Sequence, residues 1–230
     1  MRDLTRFVVM GAIACGSGRS QRPDAPATDD AAAPLDGPPG CQPAVLLAGG
    51  SDVGPQGWAI TMQPPATLSY GADFVKLETT TSAGATAGGQ LLLGLPGAIS
   101  AGKPFKLEVT MLVESVNPHN KLDSAAAILG SFTPPFGTTS ERSAMIYLDA
   151  DQIGWADGTQ RTTETVLDGA YHAYELSVDA AGAAQVRFDG VPALTRTGLS
   201  TGGTIAIGDQ TNDPGIDSVL RIRSVTKLCP

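Results

Sequence analysis

YHAYELSVDAAGAAQVRFDG, residues Tyr171 to Gly190, alternates apolar and polar positions with a period of two. Tyr174, Leu176 and Val178 point one way while Glu175, Ser177 and Asp179 point the other. After Ala180-Ala181-Gly182 the alternation resumes, with Val186 and Phe188 opposed to Gln185 and Arg187. Period-two alternation broken by a glycine-containing turn is the signature of a β-hairpin. Asp189-Gly190 then supplies the two positive-φ positions of a type I′ reversal before Val191-Pro192-Ala193-Leu194 leaves. The stretch is a three-stranded meander.

The same period recurs in both directions along the chain. Short alternating runs bounded by Gly, Pro, Asn and Asp occupy Gly57 to Met62, Phe74 to Thr79, Gly89 to Leu95, Phe105 to Val116, Ala125 to Phe132, Ala144 to Asp149, Gln152 to Ala156, Thr204 to Gly208 and Ser218 to Leu228. Phe105 to Val116 is the plainest case. Leu107, Val109, Met111 and Val113 share one face, and Lys106, Glu108 and Glu114 lie opposite. One buried and one wet face on many short strands predicts an all-β, two-sheet antiparallel sandwich rather than a parallel α/β sheet. Ser51 to Trp58 is read as a turn leading into the first of these strands.

The ends of the chain carry a different pattern. Met1 to Ala14 has Arg2 and Arg6, then an apolar run from Phe7 to Ala14, too short to span a bilayer. Residues 1–14 therefore form a secretory signal. Ala12-Ile13-Ala14 before Cys15 resembles a bacterial lipobox, in which the cysteine sulfur takes a diacylglycerol, although Ala12 replaces the usual leucine. The alternative is an ordinary secreted or periplasmic protein cleaved nearby. For a lipoprotein, Gly16 rather than an aspartate after the cysteine implies, by that resemblance, the outer membrane or cell surface. Residues 15–40, rich in Pro, Asp and Ala, show no apolar periodicity and make a disordered tether, because such a composition buries too little surface to offset its ordering entropy.

Cys15, Cys41 and Cys229 are the only cysteines, and an odd count in an exported chain requires an explanation. If Cys15 carries the lipid, Cys41 and Cys229 remain as a pair. A bond between them would clamp the two ends of a single domain, 41–230, and make its first and last strands neighbours.

The order FVKLETT, GGQLLL, FKLEVTMLVESV, AAAILGSF, IYLDADQIGW, YHAYELSVDAAGAAQVRFDG, TIAIGDQT and DSVLRIRSVTKL resembles the concanavalin A-like lectin/glucanase jelly roll, the group that includes laminin G-like and pentraxin-type modules. The most telling parts are YHAYELSVD with VRFDG, then IAIGD, then the last strand, and the resemblance spans roughly residues 57 to 228. It implies terminal strands lying side by side, which agrees with a Cys41 to Cys229 bond.

Fold does not assign function. The glucanase members of this group carry their acid pair on a strand reading Glu-x-Asp-x-x-Glu, and no such run occurs here. Glu108 with Glu114 lies on an outer face and Asp149 with Asp151 flanks a turn, both ordinary places for solvated carboxylates. Two histidines, His119 and His172, are too few for a histidine zinc site, and His172 falls in phase with Tyr174 and Leu176 as a residue of the core edge. Asp209, Asp213 and Asp217 in GDQTNDPGID could offer hard oxygens to a structural Ca²⁺, as laminin G-like and pentraxin-type relatives do at loop rims; the competing expectation is a hydrophilic turn.

For a ligand, the aromatic supply is small. Trp155, Tyr147 on the neighbouring strand and Arg142 before it are the candidate glycan-facing patch, set against a core role for both rings. A net charge of −8 opposes nucleic acid as a partner. The expected function is a non-enzymatic surface lipoprotein whose sandwich binds a glycan or an envelope or extracellular protein, held to the membrane by its lipid alone. The alternatives are a glycoside hydrolase or polysaccharide lyase of the same fold, and a purely structural envelope protein.

Overall fold

A computed structural model describes residues 41–80, 89–117, 124–132 and 144–230. The signal 1–14, Cys15, the rest of the tether to residue 40, His119 and Arg142 lie outside the described residues. The strands are β1 (Ala44–Ala48), β2 (Ala59–Met62), β3 (Thr67–Tyr70), β4 (Val75–Glu78), β5 (Leu91–Ile99), β6 (Phe105–Val116), β7 (Ala127–Phe132), β8 (Met145–Leu148), β9 (Gln152–Trp155), β10 (Arg161–Thr163), β11 (His172–Val178), β12 (Ala184–Phe188), β13 (Val191–Arg196), β14 (Gly203–Asp209) and β15 (Ser218–Leu228).

They form two antiparallel sheets. One is eight-stranded, ordered β13-β12-β11-β6-β15-β4-β3 with β1 also on β15, and the other is seven-stranded, ordered β10-β9-β8-β7-β14-β5-β2. The meander of residues 171–190 is β11, β12 and β13. Tyr174 stands opposite Phe188, Leu176 opposite Val186 and Val178 opposite Ala184, so the apolar set of each strand lands on one face. Asp189 and Gly190 adopt φ of 48° and 79°, the reversal that an Asp-Gly pair favours.

The faces that meet carry the main core. Val75, Leu77, Leu107, Val109, Met111, Tyr174, Leu176, Leu220 and Ile222 of the eight-stranded sheet pack with Leu91, Leu93, Ile128, Ile146, Leu148, Ile153, Ile205 and Ile207 of the other. The opposite face of the eight-stranded sheet is wet, with Lys106 paired to Glu175 at 2.9 Å and Lys76 to Glu78 at 3.0 Å. The seven-stranded sheet differs, because its outer face is also buried: Leu92, Ala127, Leu129, Met145, Ala156 and Ala206 form a second apolar cluster there.

Cys41 and Cys229 are bonded, with Cα atoms 5.8 Å apart, and β1 runs antiparallel to β15, so the first and last strands are neighbours as expected. β1, β3 and β10 escape period-two reading. PAVLLAGG is a continuous apolar run, β3 follows the Pro64-Pro65 pair, and β10 has only three residues. Ser51 to Trp58 is thus a turn after the first strand, closed by a short 3₁₀ turn over Gly54–Gln56, rather than a lead into it.

The registers define two poles. Leu228 stands opposite Lys106 and Ser218 opposite Val116, so β15 runs from a loop pole, where Asn117, Asp149–Gln152 and Asp209–Ser218 gather, to the pole of the disulfide.

Candidate functional site

Tyr147 and Trp155 occupy adjacent strands but opposite faces of the seven-stranded sheet. Ile146 stands opposite Trp155 and Tyr147 opposite Gly154. Directly opposed residues share a face, so Trp155 points inward with Ile146 while Tyr147 points outward. Trp155 is 0% exposed within the core, where its indole N–H donates to the Thr195 carbonyl at 3.3 Å. The expected Tyr147–Trp155 patch is therefore divided by the sheet, because one register step reverses the face of every side chain. Gly154 is the complement of Tyr147: a Cβ there would sit 2.5 Å from the phenol ring.

On the outer face, residues from every strand of this sheet align. Thr61, Leu92, Gly208, Ala127, Tyr147, Gly154 and Arg161 are successive opposite partners from β2 to β10. Glycine and alanine hold the middle of this row and polar groups its ends. A more polar row borders it at the loop pole. The Asp149 carboxylate accepts a 2.9 Å hydrogen bond from the Gln152 carboxamide across the Ala150-Asp151 turn, and Thr163 stands opposite Gln152. Gln90 donates to the Gln210 carbonyl at 2.5 Å, and the Gln210 N–H donates to the Ser124 carbonyl at 3.4 Å.

Burial raises the Tyr147 phenol pKa, and the Asp149 charge raises it further against the opposing influence of Arg161. The hydroxyl thus stays protonated, beside a carboxylate, a carboxamide and a guanidinium. Sequence reading passed over Gln152, Arg161 and Thr163 and took Asp149 for a solvated turn carboxylate, whereas it is buried, 3% exposed, at the start of the turn. The available signal lay in IYLDADQIGW, where a two-residue turn returns Gln152 to the face of Asp149 and Tyr147.

The acidic loop is organised otherwise than a calcium shell. Asp209 faces inward and accepts from Thr79 Oγ1 at 2.7 Å and from the Thr211 N–H at 3.1 Å. Asp217 accepts from Asn117 Nδ2 at 2.8 Å, and burial raises its pKa. Asp213 is exposed. Among the described residues no group of three or more His, Cys, Asp or Glu side chains is arranged to hold a metal ion. Asp209 and Asp217 of the expected set instead close the loop pole.

Glu108 and Glu114 keep to the outer face of the eight-stranded sheet, with Glu114 paired to Arg221 and, at 3.7 Å, to Lys76. On that face an open groove of about 780 Å³ is floored by Lys106, Glu175, Gln185 and Arg187; both cations pair with Glu175, and Arg187 Nε donates to Gln185.

His172 sits at the core edge as expected, 7% exposed and stacked on Phe188 with centroids 4.6 Å apart. Both ring nitrogens meet carboxylates: Nδ1 to Asp189 Oδ2 at 2.7 Å and Nε2 to Asp168 Oδ1 at 3.0 Å. Burial pulls the imidazole pKa down, but the bonds and charges of Asp189 and Asp168 outweigh it and the pKa is raised.

No protein-family model matches the sequence, and no curated protein matches it significantly. Solved structures do. The conserved carbohydrate esterase of the Shiga toxin-encoding bacteriophage phi24B superposes with a TM-score of 0.55 at 16% identity, over 82% of this chain and 100% of that chain. The exoplasmic/lumenal domain of VIP36, bound to Ca²⁺ and mannose, gives 0.51 at 12% identity over 76% of this chain and 83% of that chain. The metal-free VIP36 domain gives 0.50 at 13% identity, over 76% and 85%. At such identities the likeness is one of fold, and it establishes the jelly-roll sandwich expected from the sequence.

Proposed function

We propose that this concanavalin A-like sandwich is a non-catalytic carbohydrate-binding module of an exported, lipid-anchored bacterial protein. The glycan lies at the β9–β10 margin of the outer face of the seven-stranded sheet, toward the loop pole. The observation that carries this is that Arg161 and Thr163 are exposed and Gln152 half-buried side by side there, with the buried Asp149 carboxylate accepting from Gln152 and orienting it. A carboxamide, a hydroxyl and a guanidinium on one face are groups that hydrogen-bond vicinal sugar hydroxyls. The mannose held by VIP36 on a similar sandwich supports the choice of ligand class.

The polarity of the fold suits display. Cys41, where the described chain begins, and Cys229 lie at the pole opposite this margin. A lipid on Cys15 and a tether over 15–40 would give the domain an outer-membrane or cell-surface address.

A glycan array probed with the full chain, together with a reducing-end assay on soluble polysaccharides, tests the proposal. Binding without product release is expected, weakened about tenfold or more by Asp149→Asn combined with Gln152→Ala. Absence of any bound glycan, or release of reducing ends, would overturn it.

A further inference from the structure

We infer that the Asp168–His172–Asp189 bridge is a positioning device for the outer-face site, holding the segment 164–168 most firmly against the Ala150-Asp151 turn while the His172 ring is doubly hydrogen-bonded. This rests on the glycan reading for the meaning of the site, but its mechanics stand on the geometry alone. After β10 the chain returns along the β8–β9 turn. Glu164 N–H donates to the Asp151 carbonyl at 3.0 Å, and the Val166 and Leu167 N–H groups both donate to the Ala150 carbonyl at 3.3 Å. Ala150 and Asp151 are the residues between Asp149 and Gln152, so this segment is the direct support of their turn.

The segment is itself held in two places. The Val166 side chain is fully buried in the core, and Asp168, the next residue but one, accepts from His172 Nε2. Asp168 is otherwise exposed, with its Oδ1 also accepting the Ala170 N–H at 2.8 Å. Among the described residues the groups facing the imidazole are Asp168 from the loop before β11, Asp189 from the β12–β13 turn, and the Phe188 and Tyr174 rings, while β6 presents the uncharged Met111 opposite.

A carboxylate cannot donate, so both contacts need N–H groups, and only the imidazolium has two. The neutral ring keeps one. Asp189 retains the shorter contact and is fixed as well by the Ala173 N–H at 2.8 Å, so Asp168 is the partner released. Release frees the C-terminal end of the support while Val166 still holds its middle.

Amide hydrogen exchange of the full chain, corrected for intrinsic rates, tests the coupling with no glycan present. Protection of the Glu164, Val166 and Leu167 amides should fall about tenfold or more as pH rises through the His172 titration, followed by the ring C–H resonances, while β6 and β15 amides keep theirs. Asp168→Ala, at an exposed position that cannot empty the core, should leave those three amides weakly protected at every pH. Protection that ignores the His172 titration, or survives in Asp168→Ala, would overturn the inference. An array that finds no glycan would sink the function proposed above and leave this measurement unaffected.

Discussion

Thr79 Oγ1 donates to Asp209 Oδ2 at 2.7 Å, joining the end of β4 in one sheet to the end of β14 in the other, both residues 1% exposed. The same hydroxyl accepts the Ser218 N–H at 2.8 Å. One side chain therefore satisfies a buried charge and a backbone donor at the loop pole. Thr79→Val keeps the shape and removes both contacts. It should lower unfolding stability by about 1–3 kcal/mol, the range for removing a buried hydrogen-bond donor from a carboxyl and leaving a backbone N–H without its acceptor. Urea midpoints with an unchanged m-value would show it, and the loss should be the same with calcium or with chelator.

Trp155 and Trp58 are 0% and 3% exposed, so neither can stack on a bound sugar. Tryptophan emission should be blue-shifted in the free protein and stay unshifted when a glycan saturates it. Trp155→Ala, by contrast, should cost about 3–5 kcal/mol through the cavity left in the core. Quenching of emission on binding would place the ligand elsewhere than proposed.

The His172 bridge has a definite sign. Its folded pKa lies above the ordinary 6.5, so the folded state holds the proton more tightly than the unfolded chain. Its contribution is complete below pH 6.5 and disappears as pH rises through the raised folded value. Unfolding midpoints compared at about pH 6 and about pH 9 should show a decline on the alkaline side, and His172→Gln should flatten it. A wild-type decline no larger than that of the variant would remove His172 as its source.

Cys41 and Cys229 are 188 positions apart, and their bond closes nearly the whole domain into one loop. Cys41→Ser should reduce stability by about 5 kcal/mol in the chain-entropy model, with the loss appearing in the denatured-state reference. A denaturant series on oxidised protein and on the serine variant measures the difference. Little change would mean that the pairing of β1 with β15 is sufficient to hold the ends together.

The outline of the sandwich was readable because alternation is local. The β11–β13 meander, β6 and β15 each expose their period within a few residues, and the Asp189-Gly190 turn declares its own backbone angles. The cysteine pairing followed from counting. β1 was not readable, since AVLLA is apolar throughout and so shows no period, although only Leu47 of it is buried, nor was β10, which is too short to show one.

The site divides at the same boundary. Residue types alone made Tyr147 and Trp155 look like one surface, yet the β8–β9 register puts them on opposite sides of a sheet. It is also register that lines Asp149, Gln152, Thr163 and Arg161 along one face, and loop closure that brings Asp168 and Asp189 to the two nitrogens of His172. Sequence by itself determined most of the strands, the buried faces of the eight-stranded sheet and the paired cysteines, because these depend on neighbours in the chain and on counting. Only the tertiary structure decided which polar groups meet, because that depends on which strands lie side by side and in what register, set by packing of the whole core.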